Sequence, residues 1–182
     1  MKNKDKSKDF GKIFITNTAE NKSRTENNVI KIDPENCTNW KYSDRNHFEL
    51  GDLNVLGNDI KKNGQIQPIV VRKKNKNSYE VIAGERRWRA CKLMGIPVMA
   101  IEIFKDDMSS FLAQYSENIK RSISPYSKSM SYRRVLDDNI ITQNELAEKI
   151  GMSKSSFSEL MSFSFVSQKL WDSVEDMTKV SS

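Results

Sequence analysis

Ala83-Gly84-Glu85-Arg86-Arg87-Trp88-Arg89-Ala90 is the stretch on which the reading of this chain turns. It follows Tyr79-Glu80-Val81-Ile82, a β-branched run, and leads into a segment that Gly95 closes before Pro97. The pattern predicts a strand, a glycine hinge and a helix over Glu85 to Met94. A glycine at the hinge lets backbone N–H groups approach a ligand closely. The helix N-terminus adds partial positive charge and unpaired donors. Arg86 and Arg87 place two guanidinium forks at that same end, against the helix dipole. A local conflict of this kind is expected where function overrides stability. Paired forks suit a ligand with several phosphate oxygens. The alternative is a basic helix start that simply faces solvent. No G-x-x-x-x-G-K-[ST] run occurs, so a Walker-type site is excluded.

Working outward, Val29-Ile30-Lys31-Ile32 reads as a strand ended by Asp33-Pro34. Residues 35–51, with Trp40, Tyr42 and Phe48, read as irregular. Leu56 and Ile60 lie one turn apart in a helix over 53–63, with Gly64 at its end. Ile69-Val70-Val71 and the Tyr79–Ile82 run form a hairpin through Lys73–Ser78. Val98 to Phe104 is the next strand. A helix follows Asp106-Asp107 and ends near Arg121. From Ser124-Pro125, with proline in the first helical turn, the pattern is wholly helical. A mixed α/β part therefore precedes an all-α part, with the boundary at 121–125.

The second part contains Thr142-Gln143-Asn144-Glu145, a capping box. Leu146, Ile150, Met152, Phe157 and Leu160 would form a core shared by two helices, with small Ala147 at their crossing and Gly151 in the turn. This is a helix-turn-helix layout, although an ordinary helical hairpin has the same apolar spacing. Its second helix opens Ser153-Lys154-Ser155-Ser156, short polar side chains at the end that meets base edges in this motif. Thr142, Gln143, Ser153, Ser155, Ser156 and Ser158 are candidate DNA contacts, and Lys154 a phosphate contact. Lys128, Arg133 and Arg134 read equally as phosphate contacts or as a solvated face. Val166, Leu170, Trp171 and Val174 form an apolar stripe for core packing or a dimer.

The formal charge of +6 over 182 residues allows an anionic partner without identifying one. Seven basic against four acidic residues fall in 1–28, where little beyond Phe10 to Ile15 could be buried. That basic tail reads as disordered, either solubilising or docking on a partner protein. No apolar run reaches the ~18 residues of a membrane span, and the N-terminus lacks the apolar region of a secretory signal. A cytoplasmic, soluble protein is expected. Cys37 and Cys91 make no disulfide framework, and a lone His47 leaves too few ligands for zinc.

Three ordered segments carry a resemblance: Asn63-Gly64-Gln65-Ile66-Gln67-Pro68-Ile69, then Gly84 to Ala90, then Glu117-Asn118-Ile119-Lys120-Arg121. With Ser122-Ile123-Ser124-Pro125 as the link, they resemble the ParB partition-protein family over about residues 29 to 170. The resemblance implies an α+β fold: a ParB/sulfiredoxin-like CTP-binding domain over 29–121, then an all-α helix-turn-helix DNA-binding domain over 122–182. It implies that Gly84, Glu85, Arg86 and Arg87 hold a triphosphate, with Arg89 in the same box. Gln65, Gln67 and Pro68 would face the nucleotide, and Arg121 would close the pocket. Glu117 and Asn118 would approach Mg²⁺, which prefers oxygen ligands.

The function so implied is a CTP-regulated, site-specific partition protein that clamps a palindromic centromere-like DNA site as a homodimer. The resemblance also implies a ParA-like ATPase as partner, association with nucleoid or plasmid, and no membrane. A weak hydrolase needs little beyond positioning and charge neutralisation. No general base is evident, so CTP turnover is expected to be slow. The rival readings are a ParB-like transcription regulator and, from another class, a sulfiredoxin-like or nuclease enzyme. Against the enzymes, the glycine turn has no cysteine and there is no His/Asp cluster; Cys91 falls mid-helix, as a buried inert thiol would. Family members continue into a further dimerisation domain, so a chain ending at Ser182 reads as a fragment or an abbreviated member.

Overall fold

The computed structural model describes residues 29–118 and 123–176. Five strands make one mixed sheet: β1 (Val29–Ile32), β2 (Cys37–Asn39), β3 (Ile69–Asn75), β4 (Ser78–Ala83) and β5 (Val98–Glu102), in the order β1-β5-β3-β4-β2. β3 and β4 are the expected antiparallel hairpin, and β1 runs antiparallel along β5. The β3–β5 and β4–β2 pairs are parallel, which requires crossover connections. Helix α1 (Leu53–Asn63) supplies one and α2 (Glu85–Met94) the other. β2 departs from the sequence reading. The segment expected to be irregular contributes three residues, Cys37, Thr38 and Asn39, paired with Tyr79 to Val81. β5 also ends before Phe104, which is exposed.

Strand alternation divides the apolar residues between two faces. Ile69, Val71 and Val81 pack with Trp88, Ala90 and Cys91 of α2. Cys91 is fully buried, and burial pushes its thiol pKa up, as an inert core role requires. Val70 and Ile82 belong to the opposite cluster, with Phe111 of α3 (Asp107–Asn118). Arg72 binds Glu80 at 2.8 Å and Asp107 at 2.6 Å, fixing the hairpin to the start of α3.

The remaining helices are α4 (Pro125–Asp137), α5 (Gln143–Lys149), α6 (Lys154–Ser162) and the short α7 (Gln168–Trp171). Their ends follow the sequence signals. Ser124 caps α4 with Pro125 in its first turn, and Thr142 with Glu145 forms the capping box of α5. Gly151 turns at φ 72°, and Ser153 caps α6 by accepting from the Ser156 N–H. Leu146, Ile150 and Phe157 are buried, with Met152 and Leu160 packed at their margin.

That helical core does not stand apart from the sheet. Tyr132 stacks on Phe157 with ring centroids 5.9 Å apart, and the same cluster takes in Trp40, Tyr42, Ile82 and Phe111. The segment from Trp40 to Glu49 fastens the two parts. Gln114 of α3 and Ser131 of α4 both donate to the Tyr42 carbonyl, at 3.1 and 2.7 Å. The Tyr42 hydroxyl donates to Asp138 at 2.6 Å, and Arg134 reaches the carbonyl of Lys41 at 2.8 Å. Buried serines on α4 are small enough to admit this close approach. Among the described residues no helix is long and apolar enough to cross a membrane.

Candidate functional site

β4 delivers the chain to Gly84, which takes φ 95° and caps α2 without a side-chain hydrogen bond. A Cβ there would lie 2.7 Å from Ile69 Cγ2 and 3.1 Å from Arg87 Nη2. The turn thus presses against β3, and no other residue combines that φ with that space. Four N–H groups at a helix start lack intrahelical partners. Here they sit beside two arginines that behave differently.

Arg87 is braced. Its Nη1 donates to the carbonyls of Gln67 at 2.7 Å and Pro68 at 2.8 Å, and its Nη2 to Glu117 Oε1 at 2.9 Å. Arg86 is not: its buried Nε has no hydrogen-bond partner in the structure. Its guanidinium lies beside Gly51, where a Cβ would come 3.2 Å from Nη2. A buried donor left unsatisfied costs about 1–3 kcal/mol. An anionic ligand would remove that cost, whereas a solvent-facing helix start gives no reason for it.

Around this turn, buried Glu85 accepts from Arg89 Nε at 2.7 Å and from Ser43 Oγ at 2.8 Å. Asn118, at the end of α3, donates through Nδ2 to both oxygens of Asp44, at 3.1 and 3.0 Å. Loss of water around Asp44 pushes its carboxyl up to about 6, against the opposing pull of the Asn118 hydrogen bond. Gly84, Glu85, Ser43, Asp44 and Asn118 line one narrow cleft.

The structure therefore brings Gln67, Pro68, Arg87 and Glu117 together, with Gly84, Glu85 and Asn118 beside them. Gln67 and Pro68 contribute backbone carbonyls rather than side chains. Gln65 is turned onto β5, where its amide bonds both the N–H and the carbonyl of Met99. Arg89 is occupied by Glu85 and by the face of Trp88. Arg121 and the tail 1–28 lie outside the described residues. Ser43, Asp44 and Gly51 join the site without having been read from the sequence.

Glu117 and Asn118, consecutive at the end of α3, carry a carboxylate held by Arg87 and an amide held by Asp44. Among the described residues no group of three or more His, Cys, Asp or Glu could hold a metal alone. The pair fits Mg²⁺ only where a ligand's phosphate oxygens supply further positions, which is how that ion is commonly held.

Thr142, Gln143, Ser153, Lys154, Ser155, Ser156 and Ser158 are all exposed, at or near the N-terminal ends of α5 and α6. Between this end of α6 and the cleft lies a cavity of about 320 Å³. Ser156 and Lys128 line it together with Asp44, Tyr115 and Asn118.

A mixed five-stranded sheet with an arginine-bearing glycine turn, fused through one core to a set of capped short helices, defines an α+β protein. Residues 18–119 match the ParB N-terminal domain, and the chain belongs to that family of chromosome-partitioning proteins. It is 36% identical over 125 residues to a probable chromosome-partitioning protein ParB of Xylella fastidiosa, across 66% of this chain and 40% of that protein. A nucleoid occlusion protein of Oceanobacillus iheyensis is 33% identical over 154 residues, across 80% of this chain and 54% of that protein. The chain thus spans about half the length of such curated relatives. Among solved structures, the C-terminally truncated ParB of Caulobacter crescentus complexed with CTP-gamma-S is 27% identical, with a TM-score of 0.47, covering 80% of this chain and 83% of that one.

Proposed function

We propose that this chain is a CTP-regulated, site-specific DNA-binding partition protein that clamps DNA for chromosome or plasmid segregation. Membership of the ParB N-terminal domain family supports the partition role. The nucleotide role is carried by one observation, the partnerless Nε of Arg86 beside the Gly84 turn. In this reading the triphosphate lies against the α2 N-terminus and takes Arg86 first. Arg87 turns from Glu117 to the phosphate, and Glu117 with Asn118 then faces Mg²⁺. Gln65, Gln67, Pro68 and Arg89 shape the surroundings, and Arg121 closes the pocket. CTP acts as a switch, with slow hydrolysis.

In the same reading α5 and α6 form a helix-turn-helix, with Ser155, Ser156 and Ser158 toward base edges and Thr142, Gln143, Ser153 and Lys154 toward phosphates. A homodimer matches a palindromic centromere-like site. The cavity shared by Ser156, Asp44 and Asn118 supports coupling, because both sites border it. The basic tail serves a ParA-like ATPase, and the protein resides with nucleoid or plasmid in the cytoplasm. A regulator of the same fold that takes no part in segregation is the second reading, favoured by the relative named for nucleoid occlusion. Isothermal titration of the four ribonucleoside triphosphates with Mg²⁺, with and without candidate palindromic DNA, tests the proposal. CTP alone should bind, and more tightly when DNA is present. Equal binding of all four, or of none, refutes it. Segregation assays with a neighbouring ParA-type gene separate partition from regulation.

A further inference from the structure

Asp44 is a buried carboxylate with no ion-pair contact within 4 Å among the described residues, and its hydrogen-bonding side-chain partner is Asn118. An ionised carboxylate only accepts hydrogen bonds, so it can hold only the NH₂ end of a carboxamide. That leaves the oxygen end of Asn118 unclaimed by Asp44, on a residue that lines the cleft with Gly84 and Glu85. Mg²⁺ takes oxygen ligands, so the end of the amide that faces the cleft decides whether Asn118 can serve. The neighbouring Ser43 meanwhile holds Glu85 at 2.8 Å, so consecutive residues of one segment set two groups of the cleft.

We infer that Asp44 is a positioning residue that fixes the Asn118 carboxamide with its oxygen toward the nucleotide cleft, and so sets magnesium-dependent CTP binding. The inference rests on the proposed CTP site. It extends that site to a segment, 40–50, that the sequence motifs do not include. Partners that orient a metal ligand typically contribute 10- to 100-fold to metal affinity.

The test uses the full chain and three variants, Asp44→Ala, Asn118→Ala and the double variant, titrated with CTP in Mg²⁺ and again in EDTA. Asp44→Ala should lose about tenfold or more of the affinity gained from Mg²⁺, read as the ratio of its affinities in Mg²⁺ and in EDTA. The double variant should bind no worse than Asn118→Ala, because Asp44 acts through Asn118. Additive losses, or an Asp44→Ala protein that keeps the full magnesium gain, overturn the inference while leaving the CTP site intact. A wild-type chain that binds no CTP overturns the proposed function and this inference with it. Should Asp44→Ala fail to fold, the isosteric Asp44→Asn gives a readout that needs neither metal nor nucleotide. The side-chain amide NMR signal of Asn118 should then shift and exchange faster with solvent. An unchanged signal overturns the inference.

Discussion

Replacing Gly84 by alanine tests the geometry on which the site is built. Two costs follow from the structure. A non-glycine residue held at φ 95° bears on the order of 1–2 kcal/mol of backbone strain. The new Cβ would also fall 2.7 Å from Ile69 Cγ2 and 3.0 Å from Ile69 Cβ. Ile69 is fully buried and β-branched, so its side chain cannot swing aside. Overpacking of this kind costs about 1–3 kcal/mol. Gly95 is the control, because it caps the other end of α2 at φ 62° with nothing within 4 Å of its Cβ position. Gly95→Ala should bear the strain alone. The two variants should then differ by about 2 kcal/mol, or roughly 4–8 °C in Tm for a chain of this size. Paired urea and thermal unfolding would measure the gap. A Gly84→Ala protein no less stable than Gly95→Ala would show that the turn does not press on β3.

The two arginines should separate in their effects. Arg87→Ala should cost about 3 kcal/mol in urea unfolding, since it removes the ion pair of partly buried Glu117 and one donor from each of the Gln67 and Pro68 carbonyls. Arg86→Ala should raise stability in urea unfolding, by up to about 1–3 kcal/mol, because it removes the unsatisfied buried donor, yet abolish CTP binding by titration calorimetry. Asp44 predicts a pH dependence. Its carboxyl, raised from an ordinary 3.8 to about 6, binds a proton more readily folded than unfolded. The Asp44 contribution to stability should therefore be greatest below about pH 4, fall by about 3 kcal/mol as pH rises through 6, and level off above. Asp44→Asn should flatten that slope in urea melts taken across the range. Ser155→Ala with Ser156→Ala should weaken specific DNA binding more than non-specific binding in competition at fixed salt, by about 1–3 kcal/mol per lost base contact.

What could be read from the sequence was what neighbouring residues decide together. The hairpin, the Gly84 hinge and the capping box at Thr142 each occupy a few consecutive residues, and each formed as expected. β2 was missed because three residues paired in parallel with a strand some 40 positions away leave no periodic pattern. The bracing of Arg87 was hidden for another reason: two of its acceptors are backbone carbonyls, which every residue possesses. Asp44 and Ser43 were invisible as site residues because their partners, Asn118 and Glu85, lie 74 and 42 positions away.

Tyr42 shows what the shared core entails. Its carbonyl is claimed from both sides, by α3 and by α4, while its ring is fully enclosed and its hydroxyl is tied to Asp138. Neighbouring Ser43 and Asp44 grip Glu85 and Asn118. The peptide therefore works as a taut guy-line: tugging on the helices at one end must be felt at the Gly84 turn on the other. Slack could come only by snapping the two hydrogen bonds to the Tyr42 carbonyl, which are buried.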